Sequence, residues 1–263
     1  MRIFEPHLHM VSRTTTDYEL LAQAGVEIIV EPAFWLGEPR KHAGSFLDYF
    51  DHLVNYEVKR AAQYGIERYV SLAVNPRESN QRELADAVLK ELPRYLDHPR
   101  VVAVGEIGFD SITELEEASM RRQIEMARSR NLPLQVHSPH LDKSKGIRRI
   151  LDIVKEMRFP MERTLIDHSV EDSTGMVLGE GAWAGHSVYP MTKLSPERAA
   201  NILQEFGFER MMVHSAADWG PSDPLMVTHT ISELRRRKVK EDDIRKLVWE
   251  NPHKFFAQSG RLK

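Results

Sequence analysis

The chain contains no cysteine, which excludes disulfides and thiolate ligands, so any metal it holds must be bound through nitrogen and oxygen. It has no excess of positive charge either. Lys and Arg number 36 against 39 Asp and Glu, for a net charge of −3. This argues against broad electrostatic wrapping of duplex nucleic acid, while leaving open the gripping of one phosphate or one strand end. No apolar run approaches the roughly 20 residues that span a bilayer. The N-terminus passes from Met1 into a strand without the basic stretch and apolar core of a signal peptide. The expectation is therefore a soluble, cytoplasmic protein with no membrane partner. There is no repeat of fixed period, no low-complexity tract and nothing resembling a linker, so residues 1–263 are expected to form one domain, a length that α/β barrels reach as a single unit.

What the chain does have is alternation. Short β-branched runs at Arg2–His9, Val26–Ala33, Arg68–Asn75, Val101–Glu106, Pro133–His137, Thr164–His168, Ala182–Val188 and from Arg210 onward predict eight strands. Helical patterns lie between them, over Ser45–Gln63 with Gly65 just beyond its end, from the capping-box signature Thr113-Glu-Leu-Glu116 toward Arg130, and over Ile147–Met157. Further helices are predicted from Ser195-Pro196 to Gly207, over Pro224–Arg237 and over Asp242–Phe256. The stretch between the sixth and seventh strands reads as a glycine-rich turn. Eight strands alternating with helices specify parallel βαβ units, and eight is the number that closes a (β/α)8 TIM barrel.

Metal-binding side chains stand where these apolar runs end: His7 and His9, Glu106, His137, His168 and Asp218. Side chains two residues apart in a strand face the same way, so His7 and His9 can grip one ion together. Neutral imidazole and carboxylate suit a divalent cation such as zinc, manganese or magnesium, and four histidines with two acids suffice for one ion or for two sharing a bridging group. In a barrel, catalytic groups lie at the C-terminal ends of strands, and closure brings the ends of the first and eighth strands together. An open doubly wound sheet would not do so.

The segments His7-Leu-His9, Gly105-Glu-Ile-Gly-Phe-Asp110, Leu134-Gln-Val-His-Ser138, Asp167-His168 and Asp218, with Glu250-Asn-Pro-His-Lys-Phe-Phe256 near the end, resemble the TatD family of metal-dependent hydrolases within the amidohydrolase superfamily. The resemblance covers nearly the whole chain, and Gly-Glu-Ile-Gly-Phe-Asp is its most specific motif. It implies a TIM barrel in which His7, His9 and Asp218 hold one metal, His137 and His168 hold the other, and Glu106 bridges them. It also implies hydrolysis by a metal-activated water, with Asp218 orienting that water and handling its proton. The chain departs from the family's nucleases in three places. Ser138 is followed by Pro139 and His140 where they carry an arginine, Asp167-His-Ser-Val-Glu-Asp172 replaces His-Cys-Phe-Ser-Gly, and Ser215-Ala-Ala-Asp-Trp219 replaces Glu-Thr-Asp-Ala-Pro. The metal chemistry is retained where the substrate contacts are not.

The expected function is accordingly a divalent-metal-dependent hydrolase of an ester, amide or phosphoester in a small molecule. A TatD-type deoxyribonuclease acting on a DNA end and a non-catalytic metal- or partner-binding barrel are the alternatives. Candidate substrate contacts are His140 and Lys143 after the fifth strand and Trp219 beside Asp218, together with His186 within the seventh strand and His214, four residues before Asp218 and one layer deeper on its face, either of which could hydrogen-bond a metal ligand or the substrate. Each has a plainer reading as packing, as a satisfied buried polar group, or, for the basic run Lys143, Lys145, Arg148 and Arg149, as a solvated helix start. The sequence leaves the oligomeric state open.

Overall fold

The computed structural model describes residues 1–262. Its eight strands are β1 (Ile3–Glu5), β2 (Val26–Pro32), β3 (Glu67–Leu72), β4 (Val101–Gly108), β5 (Leu134–His137), β6 (Thr164–Asp167), β7 (Trp183–Ser187) and β8 (Met211–His214). They pair in sequence order, each parallel to the next. The sheet closes where β1 meets the segment after β8: Ala216 N–H donates to the His7 carbonyl at 3.0 Å and His9 N–H to the Ala217 carbonyl at 2.9 Å. The architecture is the (β/α)8 barrel, and its seam lies at the histidine pair.

The pleat sorts each strand into two faces. Ile29, Val70, Ile166, Ala184 and Val213 point outward into the helix layer. Phe4, Ile28, Val30, Tyr69, Leu165, Trp183 and Met212 point inward and fill the lower barrel. The C-terminal helix Asn251–Phe256 closes this end from below, stacking Phe256 on Phe4 with centroids 5.7 Å apart. Asn251 anchors that helix by donating to the carbonyls of Phe208 at 2.7 Å and Met211 at 2.8 Å. The Glu250–Phe256 motif thus serves the floor of the barrel and leaves the opposite, C-terminal face to the site.

Helices occupy more of the chain than the sequence patterns predict. Thr15–Ala24 buries only Tyr18 and Leu21 and so carries little periodic signal, though Gly25 stops it at φ 93°. Arg82–Leu96 continues through Pro93. Glu171–Gly179 replaces the predicted glycine-rich turn, with Gly175 packed against the ring of Phe206. The long helices predicted at 45–63 and 242–256 each contain one π-helical turn, at His52–Tyr56 and Lys246–Glu250. The fifth-strand helix begins at Lys143 rather than at Ile147.

Candidate active site

Four imidazoles and one carboxylate converge inside the C-terminal mouth. Nε2 of His7 and Nε2 of His9 lie 3.0 Å apart, and Nε2 of His168 lies 3.0 Å from Nδ1 of His137. Between the two pairs sits one oxygen, Glu106 Oε1, at 3.3 Å from His168, 3.4 Å from His137 and 3.6 Å from His7. Ligands bonded at about 2.0–2.1 Å in a tetrahedron are separated by roughly 3.3 Å. The spacing therefore fits donors arranged around a cation, and a carboxylate oxygen shared by both pairs fits a bridge. Asp218 lines the same cavity. It lies four residues beyond β8, and its Oδ1 accepts from Tyr189 Oη at 3.1 Å and Gly220 N–H at 2.8 Å.

The ring orientations are set from below by a polar layer across the barrel. Ser71 Oγ donates to Gln135 Oε1 at 2.7 Å, Gln135 Nε2 donates to Asp167 Oδ2 at 2.9 Å, and the same carboxylate oxygen receives His7 Nδ1 at 2.9 Å. These residues belong to strands that are mostly not neighbours, so the chain of bonds runs through the interior. An ionised Asp167 can only accept, which places the His7 proton on Nδ1 and leaves the Nε2 lone pair facing His9. Asp167 reaches the centre because Gly185 faces it on β7, where a Cβ would collide with its Oδ1. Adjacent residues in a strand face opposite ways, yet both Asp167 and His168 address the site. His168 achieves this with φ +62°, a left-handed conformation that turns its ring back inward, where Nδ1 meets Ser187 Oγ.

Burial and neighbouring cations keep His9, His137 and His168 neutral, as ligation requires. Burial, then the Lys193 and Lys143 ammonium groups, push His137 down to about 3, and burial with His7 and Lys193 holds His9 well below the usual value. His168 is lowered in the same direction by burial and Lys193. Glu106 moves the other way, up to about 7, because desolvation outweighs the attraction of His7. Asp167 lies below the usual carboxylate range although burial opposes this, since His214 and His7 stabilise its charge. A buried carboxyl held partly protonated beside neutral imidazoles lacks positive charge, and His9 Nδ1 has no partner. A divalent cation answers the first deficit, and the donor set fits one or two.

Above these imidazoles lies a cavity of about 440 Å³ with an aromatic wall. Phe34 stacks on His9 at 3.5 Å and 11°, Trp219 stacks on Phe34 at 5.0 Å, and Trp35 meets Trp219 edge-on at 5.4 Å. Arg40, buried against Glu78, holds this wall through the Phe34 carbonyl at 3.1 Å. A larger cleft of about 550 Å³, lined by Arg2, Glu67 and Trp249 among others, lies at the opposite end of the barrel, far from these histidines.

The five candidate substrate contacts separate by position. His140 and Trp219 line the cavity, and burial with Lys193 lowers His140 to about 4. Lys143 lies behind it, donating to Ser138 Oγ at 3.1 Å. His186 is on the outer face of β7, bonded to Thr174 Oγ1 at 3.0 Å and the Met212 carbonyl at 3.1 Å, because the pleat that turns Gly185 inward turns His186 outward. His214 faces inward one layer too deep, stacked on His7 at 4.7 Å and 3.2 Å from Asp167. Neither His186 nor His214 lines the cavity. Asp167 and Gln135 stand in the motifs Asp167-His168 and Leu134-Gln-Val-His-Ser138 with no role of their own, and Tyr189 and Lys193 are not singled out by the sequence. An acid ending a buried run just before His168 was the available signal for Asp167. The others are set by cross-barrel distances that no local pattern records.

Residues 7–257 match the TatD related DNase family. An uncharacterised metal-dependent hydrolase of Methanocaldococcus jannaschii is 29% identical over 256 residues, covering 97% of this chain and 99% of its own length. The crystal structure of a TatD-like protein from Archaeoglobus fulgidus superposes with a TM-score of 0.79 at 27% identity, covering 96% of this chain and 99% of that one. The phosphotriesterase homology protein of Escherichia coli shares the fold, with a TM-score of 0.71 at 17% identity over 97% of this chain and 98% of that one. No helix among the described residues is long and apolar enough to cross a membrane. Barrel, site geometry and relatives agree that this chain belongs to the TatD family and is a metal-dependent hydrolase.

Proposed function

We propose that His7, His9 and Asp218 hold one divalent ion, that His137 and His168 hold a second, and that Glu106 lies between them, in a hydrolase that cleaves an ester, amide or phosphoester of a small molecule. The observation that carries this reading is Glu106 Oε1 standing 3.3–3.6 Å from three imidazole nitrogens of two separate pairs. Zinc, manganese and magnesium are the candidate metals, since the donors are all nitrogen and oxygen. A divalent ion supplies a water acidic enough to ionise near neutral pH and a Lewis acid for the scissile oxygen.

The chain's own groups supply the rest. Asp167 holds the His7 ring by its Nδ1 proton, and Ser187 does the same for His168. Asp218 stands at the cavity wall with Tyr189 Oη and Gly220 N–H fixing its carboxylate, so that it can accept a proton from the attacking water and return it to the leaving group. Phe34, Trp35 and Trp219 give the substrate an apolar face and keep bulk water from one side.

The test is a panel of ester, lactone, amide, phosphomonoester and phosphodiester substrates together with single-stranded DNA. Each is assayed with protein reconstituted with zinc, manganese or magnesium and with protein stripped by chelator. Turnover of a small substrate that chelation abolishes and metal restores is the expected result. Degradation of DNA alone would assign the site to a nuclease, and reconstituted protein that binds no metal would sink the reading.

A further inference from the structure

The cavity contains an ammonium group that the metal and proton chemistry does not use. Lys193 lies in the excursion between β7 and the helix Pro196–Phe206. That excursion is a tight, closed turn: Val188 pairs with Leu194, Leu194 N–H donates to the Ser187 carbonyl at 3.2 Å, and Lys193 N–H donates to the Tyr189 carbonyl at 2.8 Å. The turn directs both Tyr189 and Lys193 into the cavity. Nζ of Lys193 lies 5.5 Å from the centroid of the Tyr189 ring and has no hydrogen-bond acceptor and no carboxylate at ion-pair distance among the described residues. Lys193 is half-buried, and a partly desolvated ammonium without an anionic partner is stabilised by an arriving anion.

The alternatives around it are few. Arg77, the other fixed cation lining the cavity, lies flat on the outer edge of the aromatic wall, 3.7 Å from the Trp35 centroid. The pKa of His140 is lowered by partial desolvation and by Lys193, which leaves it neutral, and Lys143 is turned away toward Ser138. Leu36, Leu141 and Met191, each next in sequence to a cavity-lining residue, are exposed. Glu106, Asp110 and Asp218 are the cavity's carboxylates. A bound divalent ion would add further positive charge to a cavity that already holds Arg77 and Lys193. An ammonium beside such an ion is repelled unless a negative group lies between them.

We propose that Lys193 is the anion receptor of this cavity, binding a phosphate or carboxylate that the substrate carries, with the body of the substrate against Phe34, Trp35 and Trp219. The proposal rests on the hydrolase reading of the same cavity. It narrows the substrate class to anionic molecules with an apolar or aromatic body. Burial lowers the pKa of Lys193, and the nearby carboxylates Glu106 and Asp218 oppose that shift, so an arriving anion strengthens its charged form.

The experiment measures binding by calorimetry of benzyl phosphate, phenylacetate and benzyl alcohol to the wild type and to Lys193→Gln, Lys193→Arg and Arg77→Gln, with metal content determined for each sample. The two anions are expected to bind the wild type roughly ten- to a hundredfold more tightly than the alcohol, the range for a charge-assisted contact. Lys193→Gln should remove most of that preference, Lys193→Arg should keep it, and Arg77→Gln should leave it within about threefold. A greater loss for phosphate than for carboxylate identifies a phosphate-bearing substrate, and the reverse a carboxylate-bearing one. Undiminished anion preference in Lys193→Gln at matched metal content, or its loss in Arg77→Gln alone, overturns the proposal. Because binding is the readout, a protein that holds no metal or cleaves nothing defeats the hydrolase reading while the Lys193 comparison still gives its own answer.

Discussion

The lower and upper halves of the barrel are built from the same strands and obey opposite rules. Below, Phe4, Ile28, Val30, Tyr69, Leu165, Trp183 and Met212 make an almost wholly apolar plug. One or two pleats higher, Ser71, Gln135, Asp167 and His214 occupy the same inward face, where Asp167 pairs with His7 and His214 while His214 Nδ1 has no hydrogen-bond partner. An apolar floor stabilises the fold by area removed from water, whereas a buried polar layer is costly and persists where it positions something. Here it positions His7. Stability and chemistry are thus separated by height within one barrel, and each half can be attacked alone.

The largest expected effect belongs to the floor. Phe4→Ala removes a fully buried ring that stacks on Phe256 and should lower unfolding stability by about 3–5 kcal/mol. The metal content of the molecules that remain folded should be unaltered. Chemical denaturation followed with elemental analysis would break the comparison if metal were lost in proportion to stability.

At the top, Asp218→Asn keeps the shape of the side chain but cannot accept a proton. Turnover on the best substrate should fall by roughly two orders of magnitude with fold and most of the metal retained, the usual scale for losing a positioned acid–base group. Near-normal turnover would show that another group activates the water and would reduce Asp218 to a turn-capping acid.

The layer between is tested by Asp167→Asn. Losing the charge that fixes the His7 tautomer should weaken metal affinity by about 10- to 100-fold with little loss of thermal stability. Calorimetric titration with zinc or manganese measures it, and unchanged affinity would mean the polar layer does not serve the ligands.

The smallest effect has the least intuitive sign. The Glu106 carboxyl has its pKa raised by burial from 4.5 to about 7, so the metal-free folded state holds a proton that the unfolded chain releases. That proton's contribution is fully present below pH 4.5 and is lost as pH rises to 7, which makes the ionised form a liability above pH 7. Glu106→Gln should therefore stabilise the metal-free protein at pH 8, by an amount on the order of 1–3 kcal/mol, and have little effect near pH 4.5. The same variant should lose metal from both ligand pairs together. Thermal melts at the two pH values with metal analysis check both, and destabilisation of the metal-free variant at pH 8 would contradict the assigned environment.

Local pattern was enough for the strands and for a series of imidazoles and carboxylates at their ends, because the period of two and the apolar runs are written residue by residue. It was weaker for helices. Thr15–Ala24 has too few apolar residues to show a period, and Glu171–Gly179 carries glycines that signal a turn until Phe206 is seen packed against one of them. For the cavity contacts it does not separate the histidines by position. His186 and His214 are both histidines near strand ends, yet one faces the helices and the other lies beneath His7, a distinction that depends on pleat phase and on height in the barrel.

By itself, the sequence determined an eightfold βα alternation, a nitrogen and oxygen donor set without sulfur, and a place for each donor at the end of a strand, since these follow from composition and short-range periodicity. Only the tertiary structure decided that Glu106 stands between two imidazole pairs, that Asp167 rather than a neighbour on the chain steadies His7, and that an unpaired lysine from beyond β7 enters the cavity. Those relations join residues 30 to 160 positions apart across a closed barrel, and only barrel closure brings them within a few ångströms of one another.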